Sequence, residues 1–160
     1  MFSPTLLHQF LTQTADRYPD KTAIIAGGVR LTYRSLDARS SALAQSLHGL
    51  GVLRHDRVVV FLDNSPESVI ALYGILKAGC AFVILNASMK AKKLAYILKD
   101  SGASALIAHS GRAEIVSEAI QDLPARPRIV WVGPRASQPG IPEAETVAWD
   151  DVTKASDRDW

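Results

Sequence analysis

Short apolar runs alternate with helical segments along the middle of the chain, from Arg57 to Val132. The run Arg57–Leu62 (RVVVFL) has the length and the β-branched composition of a strand, and a segment with helical spacing follows it. Strands that alternate with helices in this way are typical of βαβ units, which build a mainly parallel sheet. Strands covered on both faces are continuously apolar, as this one is. The sequence therefore predicts an α/β fold in which helices cover both faces of a mainly parallel sheet.

The same alternation predicts the remaining elements of this region. Further strands are expected at Ala81–Leu85, Ser104–Ala108 and Arg128–Val132. The helices between them are expected to begin at Ser65-Pro66, Met89 and Arg112.

An N-terminal helix and a β-hairpin are predicted ahead of the alternating region. Ser3 and Pro4 are residue types preferred at a helix start. The dipeptide Gly27-Gly28 separates two short β-like stretches, and a two-residue glycine link favours a tight hairpin. Thr32 is predicted to be the N-cap of the next helix.

Two parts of the chain are expected from its composition. Residues 1–133 are predicted to form an N-terminal α/β subdomain, and residues 134–160 a loop-rich segment. Several prolines interrupt the second part, among them Pro134 and Pro142, with one short strand expected near Thr146–Trp149.

Composition and charge exclude several classes of protein. Hydrophobic residues make up 48% of the chain and charged residues 21%, which is ordinary for a globular protein. A formal net charge of +2 does not favour a nucleic-acid partner. No apolar run is long enough to span a membrane, and no signal peptide is predicted. The single cysteine, Cys80, allows no disulfide within the chain, so a cytoplasmic location is expected.

The histidines and the cysteine do not predict a reactive site. The four histidines, which are His8, His48, His55 and His109, lack metal-ligand spacing. Cys80 has no partner base nearby in the sequence and is expected to be a small packed residue. We therefore predict no metal ligand and no catalytic residue in this chain.

Three lysines crowd the start of the helix that follows strand Ala81–Leu85. If Ser88 is the N-cap, Lys90, Lys92 and Lys93 lie in the first turns, where cations are unfavourable by up to about 1 kcal/mol each. Positions that break a local rule are candidates for function. Ammonium groups and free amide N–H groups together would attract a phosphate. The alternative is that the three lysines are a solvated face.

Arg112 extends this hypothesis to a second segment. It follows the strand Ser104–Ala108, and the carboxyl ends of parallel strands form one edge of a sheet. Arg112 and the lysines would share a basic rim if the strands before them were neighbours.

Three segments together resemble a known family: LTYRSLD (Leu31–Asp37), the stretch Arg57–Ala108, and RIVWVG (Arg128–Gly133). They resemble the N-terminal portion of AMP-forming acyl-CoA synthetases. These enzymes belong to the adenylate-forming superfamily, together with the adenylation domains of peptide synthetases. The resemblance extends from about Leu6 to Trp160.

The resemblance implies a reaction in two steps, of the kind used in fatty acid metabolism. A carboxylic acid reacts with ATP, in the presence of Mg, to give an acyl adenylate, and CoA then takes the acyl group. The family's phosphate-binding loop is rich in Ser, Thr and Gly and ends in Pro-Lys-Gly. No such loop occurs in this sequence, although its last six residues, ASDRDW, resemble the approach to it. The resemblance thus implies an incomplete part of a larger enzyme domain, inactive alone, that docks to the remaining enzyme portion or forms a homodimer.

The resemblance also implies a set of cofactor-binding residues. In some such ligases, basic residues in the loop after this strand and in a later loop hold the nucleotide end of CoA. Transfer by position implies Ser88, Lys90, Lys93 and Arg112, although some relatives have arginine where this chain has Ser88. Asn86 resembles the acyl-CoA ligases more than the Asp-Pro that usually opens this loop in peptide synthetases.

Two alternatives remain open from the sequence. The first is a stand-alone, non-catalytic binding or docking module, such as one half of a split enzyme. The second is a fragment of a peptide-synthetase adenylation domain, whose acceptor is the thiol of a carrier protein rather than free CoA. The acyl substrate is not specified, because the family builds its acid pocket from later residues.

Overall fold

A computed structural model of the chain describes residues 5–134, 141–142 and 145–154. The strands are β1 (Thr22–Ala26), β2 (Val29–Thr32), β3 (Arg57–Phe61), β4 (Ala81–Ile84), β5 (Ala105–His109), β6 (Arg128–Val132) and β7 (Thr146–Ala148). The helices are α1 (Leu7–Arg17), α2 (Tyr33–Gly49), α3 (Pro66–Lys77), α4 (Ala91–Ser101), α5 (Ala113–Ile120) and α6 (Trp149–Val152), with a 3₁₀ turn (Ser110–Arg112) before α5.

Five of the strands form one parallel sheet in the order β4-β3-β5-β6-β7. Strands β1 and β2 form a separate antiparallel hairpin. The predicted α/β class, with an N-terminal helix and hairpin ahead of a mainly parallel sheet, is therefore confirmed. Among the described residues, no helix has the length and apolar character needed to cross a bilayer.

The sheet is covered on both faces, as its apolar strands predict. Val58 and Val60 of β3 pack into a core with the buried residues of α2 and α3. Val59 and Phe61, which alternate with them, pack into a second core with α4 and α5. Successive side chains of a strand point to opposite faces, so one continuous apolar strand supplies both cores.

The N-terminal helix begins later than the sequence predicts. The predicted start at Ser3-Pro4 lies outside the described residues, and α1 begins at Leu7. The side-chain carbonyl of Gln9 accepts hydrogen bonds from the backbone N–H groups of Thr5 and Leu6, at 2.8 and 3.1 Å. A residue inside the first turn thus satisfies N–H groups that a capping serine was expected to satisfy.

The two other local signals are confirmed. Gly27 and Gly28 have φ angles of +55° and +81°, the left-handed conformation that a tight two-residue hairpin requires. The Thr32 hydroxyl accepts a hydrogen bond from the backbone N–H of Ser35 at 3.2 Å and caps α2.

The sheet continues beyond residue 133. The short strand expected near Thr146–Trp149 is present as β7, which pairs in parallel with β6. The helix α6, which the sequence did not predict, follows it directly. Residues 135–140, 143–144 and 155–160 lie outside the described part, and the division of the chain at residue 133 remains a prediction.

Candidate functional site

The loop between β4 and α4 is organised by Asn86. Its side-chain oxygen accepts hydrogen bonds from the backbone N–H and the hydroxyl of Ser88, both at 2.8 Å. The backbone N–H of Met89 donates to the Asn86 carbonyl at 3.0 Å. The buried side chains of Leu85 and Ala87 anchor the loop to the core. Asparagine is suited to this turn because its side chain can bond to the backbone two residues later.

Helix α4 does not begin with Ser88 as its N-cap, so that expectation is wrong. Lys90 is the N-cap, and its side chain makes no capping hydrogen bond, because an ammonium group has no acceptor. The Ser88 hydroxyl is already engaged with Asn86. The three lysines nevertheless lie at the start of the helix, as predicted, with Lys90 at the N-cap and Lys92 and Lys93 at the second and third helical positions.

The lysines face an open surface groove of about 640 Å³, here called the lysine groove. Its lining residues are Asn86, Ser88, Met89, Lys90, Lys92, Lys93 and Tyr96. Ala91, Leu94 and Leu98 lie on the opposite, buried side of α4. This amphipathic pattern fixes which face of the helix points to solvent.

The lysine groove has three cations and no carboxylate among its lining residues. Nor do these lysines take part in any of the ion pairs found within the described ranges. Their charges add to the partial positive charge at the start of α4. The groove is therefore suited to an anion.

Arg112 does not line this groove. It lies in the 3₁₀ turn after β5, and β3 separates β5 from β4 in the sheet. The two strands are not neighbours, so the condition for one continuous basic rim is not met. Helices α4 and α5 do pack against each other on the same face of the sheet, so Arg112 and the lysines lie near the starts of two neighbouring helices of one layer.

A second crevice, of about 550 Å³, was missed by sequence reasoning. It is lined by Leu62, Asp63, Ser65, Glu67, His109, Val132, Gly133, Pro134, Ala148, Trp149 and Asp150. The chain turns to opposite sides of β3 to form β4 and β5, and ligands in open α/β sheets favour such a switch point. Trp149 is 4% exposed, and its indole N–H has no hydrogen-bond partner within the described part. The position of this crevice depends on the order of the strands in the sheet, which no local sequence pattern indicates.

His109 and Cys80 each take part in contacts within the fold. The ring nitrogen Nδ1 of His109 accepts a hydrogen bond from the backbone N–H of Gly111 at 3.1 Å, a capping contact. Burial raises the pKa of the Cys80 thiol, and the charge of Asp56 raises it further, so the reactive thiolate is disfavoured. In the residues that the structure describes, no three His, Cys, Asp or Glu side chains converge to hold a metal ion.

Comparison with known families adds to this geometry. The family described as AMP-binding enzyme matches residues 11–159, which is nearly the whole chain. The chain belongs to the AMP-binding enzyme family. The resemblance inferred from the three sequence segments is thereby confirmed.

The chain is similar to two kinds of protein, a peptide synthetase and a fatty acyl CoA synthetase. Phosphinothricin tripeptide synthetase PhsC from Streptomyces viridochromogenes is 36% identical over 143 residues, which is 86% of this chain and 13% of that protein. The structure of a Mycobacterium tuberculosis fatty acyl CoA synthetase is 30% identical, with a TM-score of 0.72 over 81% of this chain and 26% of the other.

A second structure supports the fold. The anthranilate CoA ligase AuaEII, solved in complex with anthranoyl-AMP, has a TM-score of 0.84 over 95% of this chain and 29% of the other, at 24% identity. The chain thus spans less than a third of these two ligases, and between 1% and 13% of the length of the curated relatives that it matches. It corresponds to the N-terminal part of adenylate-forming enzyme domains.

Proposed function

We propose that these 160 residues are the N-terminal part of an ATP-dependent acid–thiol ligase. In the proposed reaction, a carboxylate attacks ATP-Mg to give an acyl adenylate and pyrophosphate. The thiol of CoA then takes the acyl group and releases AMP. Membership of the AMP-binding family supports the use of ATP, and similarity to a fatty acyl CoA synthetase supports CoA as the acceptor.

The lysine groove is the observation that favours CoA as the thiol that accepts the acyl group. The nucleotide end of CoA bears several phosphate charges, and the groove has three cations with no competing carboxylate. We propose that Lys90 and Lys93 bind these phosphates as flexible point charges. Ser88 would contribute from the turn that Asn86 holds.

Arg112 remains in the proposal as a contact from the start of the neighbouring helix, α5. Its guanidinium would reach the same ligand past the N-terminal end of α4, because α4 and α5 pack side by side. An extended ligand such as CoA can contact both places, whereas a single phosphate ion contacts one. Arg112 is therefore expected to matter for CoA and not for inorganic phosphate.

A peptide-synthetase adenylation domain is the second candidate. The similarity to PhsC, which extends over 86% of this chain, favours it. Its acceptor is a thiol attached to a carrier protein, so the lysine groove would not need to bind free CoA. In either case we propose that this part docks to the remaining enzyme portion or to a second copy, and does not catalyse the reaction by itself.

Binding of CoA tests the choice between these two candidates. We expect the chain to bind CoA in isothermal titration calorimetry at an ionic strength of about 0.15 M, where charges more than about 8 Å apart are largely screened. Lys90→Glu combined with Lys93→Glu should weaken binding by about tenfold or more, because two attractive charges become repulsive. Both side chains are exposed, so the substitutions should not disturb folding.

A matched variant controls for net charge. Arg30→Glu combined with Lys154→Glu makes the same charge change at exposed positions outside the groove. We expect this control to retain CoA affinity within about twofold, since distant surface charges are screened by salt. Equal weakening by both double variants, or no CoA binding at all, would reject the groove as a CoA site and favour the carrier-linked acceptor.

A further inference from the structure

Tyr96 is the aromatic side chain of the lysine groove, and it is largely exposed. The residue is 67% exposed, although α4 has an apolar face that could have buried a ring. Lys92 and Lys93 precede it by four and three residues, so all three side chains share one face of the helix. An aromatic ring therefore lies beside the cations that the proposed function uses.

The ring of Tyr96 is open to a ligand. In the part of the chain that the structure describes, both cation–π contacts are at Tyr18. No lysine of the groove covers the ring of Tyr96. An uncovered ring beside ammonium groups offers a flat apolar surface and a phosphate site within one helical turn.

This combination favours a nucleotide over a simple anion. Aromatic side chains stack with bases, which all have a flat π face, while lysines hold the phosphates. The groove volume of about 640 Å³ falls in the usual range for a small-molecule site. One exposed ring among the lining residues can stack one base, which favours a mononucleotide over a nucleic-acid strand.

We propose that Tyr96 is a stacking platform for the adenine of a phosphorylated adenine nucleotide, with Lys90, Lys92 and Lys93 holding its phosphates. This inference rests on the proposed function, because CoA ends in a phosphorylated adenosine. It adds base recognition by Tyr96 and a phosphate contact by Lys92. Tyr96 was not singled out from the sequence, and Lys92 was considered there only among the three crowded lysines, not in the set of binding residues that the resemblance implies.

A pair of probes separates the base from the phosphates. Adenosine 3′,5′-bisphosphate carries both, whereas inorganic pyrophosphate carries phosphates only. We expect Tyr96→Ala to weaken binding of the bisphosphate about tenfold in titration calorimetry, the order that one stacked base contributes. Tyr96→Phe, which retains the ring, should bind within about twofold of the unmodified chain. Affinity for pyrophosphate should be unchanged in both variants.

Several outcomes would overturn the inference, and they differ from failure of the proposed function. Suppose that Tyr96→Ala leaves bisphosphate affinity unchanged while Lys90→Glu with Lys93→Glu weakens it. The stacking role of Tyr96 is then rejected, and the lysines are retained as a phosphate site. If Tyr96→Ala weakens pyrophosphate binding equally, the effect is not base stacking. If neither the tyrosine nor the lysine variant alters bisphosphate binding, both the platform and the proposed CoA site are rejected.

Discussion

At the residue scale, Lys77 is a charged side chain that the packing of α2 against α3 has largely removed from water. Its ammonium group donates to the Asp37 carboxylate at 2.7 Å, to the Asp37 carbonyl at 3.0 Å and to the Ser41 hydroxyl at 2.8 Å. The Thr12 hydroxyl of α1 donates to the same carboxylate at 2.9 Å. Asp37 thus joins three helices, and a buried cation depends on it.

Asp37→Ala is expected to destabilise the fold by ~2 kcal/mol in urea unfolding. The substitution leaves an ammonium group, only 11% exposed, without its counterion. Removing one partner of a buried ion pair costs about 3–5 kcal/mol, and the partial exposure of Asp37 lowers that figure. The exposed pair Arg34–Asp20 is the control, and Asp20→Ala should cost less than about 0.5 kcal/mol. Equal effects of the two substitutions would show that burial of the Lys77 pair is unimportant.

Asp56 predicts a pH dependence of stability. A hydrogen bond from the backbone N–H of Leu53 lowers the pKa of this carboxyl, and one from the Ser104 hydroxyl lowers it further. A group whose pKa is lower in the folded state stabilises the fold above its unfolded pKa of about 3.9. That contribution is lost as the pH falls through the lower, folded pKa.

Substitution of Asp56 by asparagine isolates this effect. Asparagine retains an acceptor oxygen but does not titrate in this range. We expect the stability advantage of the unmodified chain over Asp56→Asn to be constant from pH 7 to about pH 5 and to shrink at lower pH. Urea unfolding at constant ionic strength would measure it, and a difference that stays constant down to pH 2.5 would contradict the assignment.

At the element scale, Gly74 sets how closely α3 approaches α2. A Cβ atom at Gly74 would lie 2.7 Å from Cδ2 and 3.0 Å from Cβ of Leu43, whose side chain is fully buried. Gly74→Ala should therefore destabilise the fold by about 1–2 kcal/mol, because overpacking outweighs the gain in helix propensity. Gly49→Ala makes the same change near the end of α2, where nothing lies within 4 Å. It should be neutral or slightly stabilising, and similar thermal shifts for the two variants would refute this account of the helix contact.

Local sequence signals predict the ends of several helices well, because a few atoms of one or two residues determine where each helix begins or ends. Ser65 caps α3 through its hydroxyl, as its sequence with Pro66 indicates. Gly102 ends α4 in the left-handed conformation at φ +57°. The predicted start of α4 is wrong because Ser88 bonds to the Asn86 side chain within the loop, and the helix begins two residues later with Lys90 as its N-cap. The helix α6 is four residues long, too short to show a periodic pattern.

At the scale of the whole molecule, strand order separates what sequence could predict from what it could not. The lysines were found because three cations at a helix start break a local rule. Their relation to Arg112 was not predictable, since β3 lies between β4 and β5 only after the chain has crossed over. The same crossover creates the crevice around Trp149. Local chemistry is thus readable in the sequence, while the sharing of one site by distant segments depends on topology.

The family's chemistry predicts that these 160 residues alone do not form acyl adenylates. Phosphoryl and adenylyl transfer need cations and backbone donors positioned around the reacting phosphate. The sequence has no loop rich in Ser, Thr and Gly that ends in Pro-Lys-Gly, and the three lysines of the groove are exposed, flexible side chains. We therefore expect no ATP–pyrophosphate exchange above background with a panel of aliphatic, aromatic and amino acids.

The exchange assay is informative only beside the binding measurement. A preparation of the chain that binds adenosine 3′,5′-bisphosphate is folded at the groove. If the same preparation shows no ATP–pyrophosphate exchange, the cause is missing catalytic groups and not misfolding. Exchange that depends on an added acid would contradict the prediction and would mean that other side chains of this chain activate ATP. The polar crevice that contains Asp63, His109 and Trp149 would then be the first place to substitute, because it lies at the switch point of the sheet.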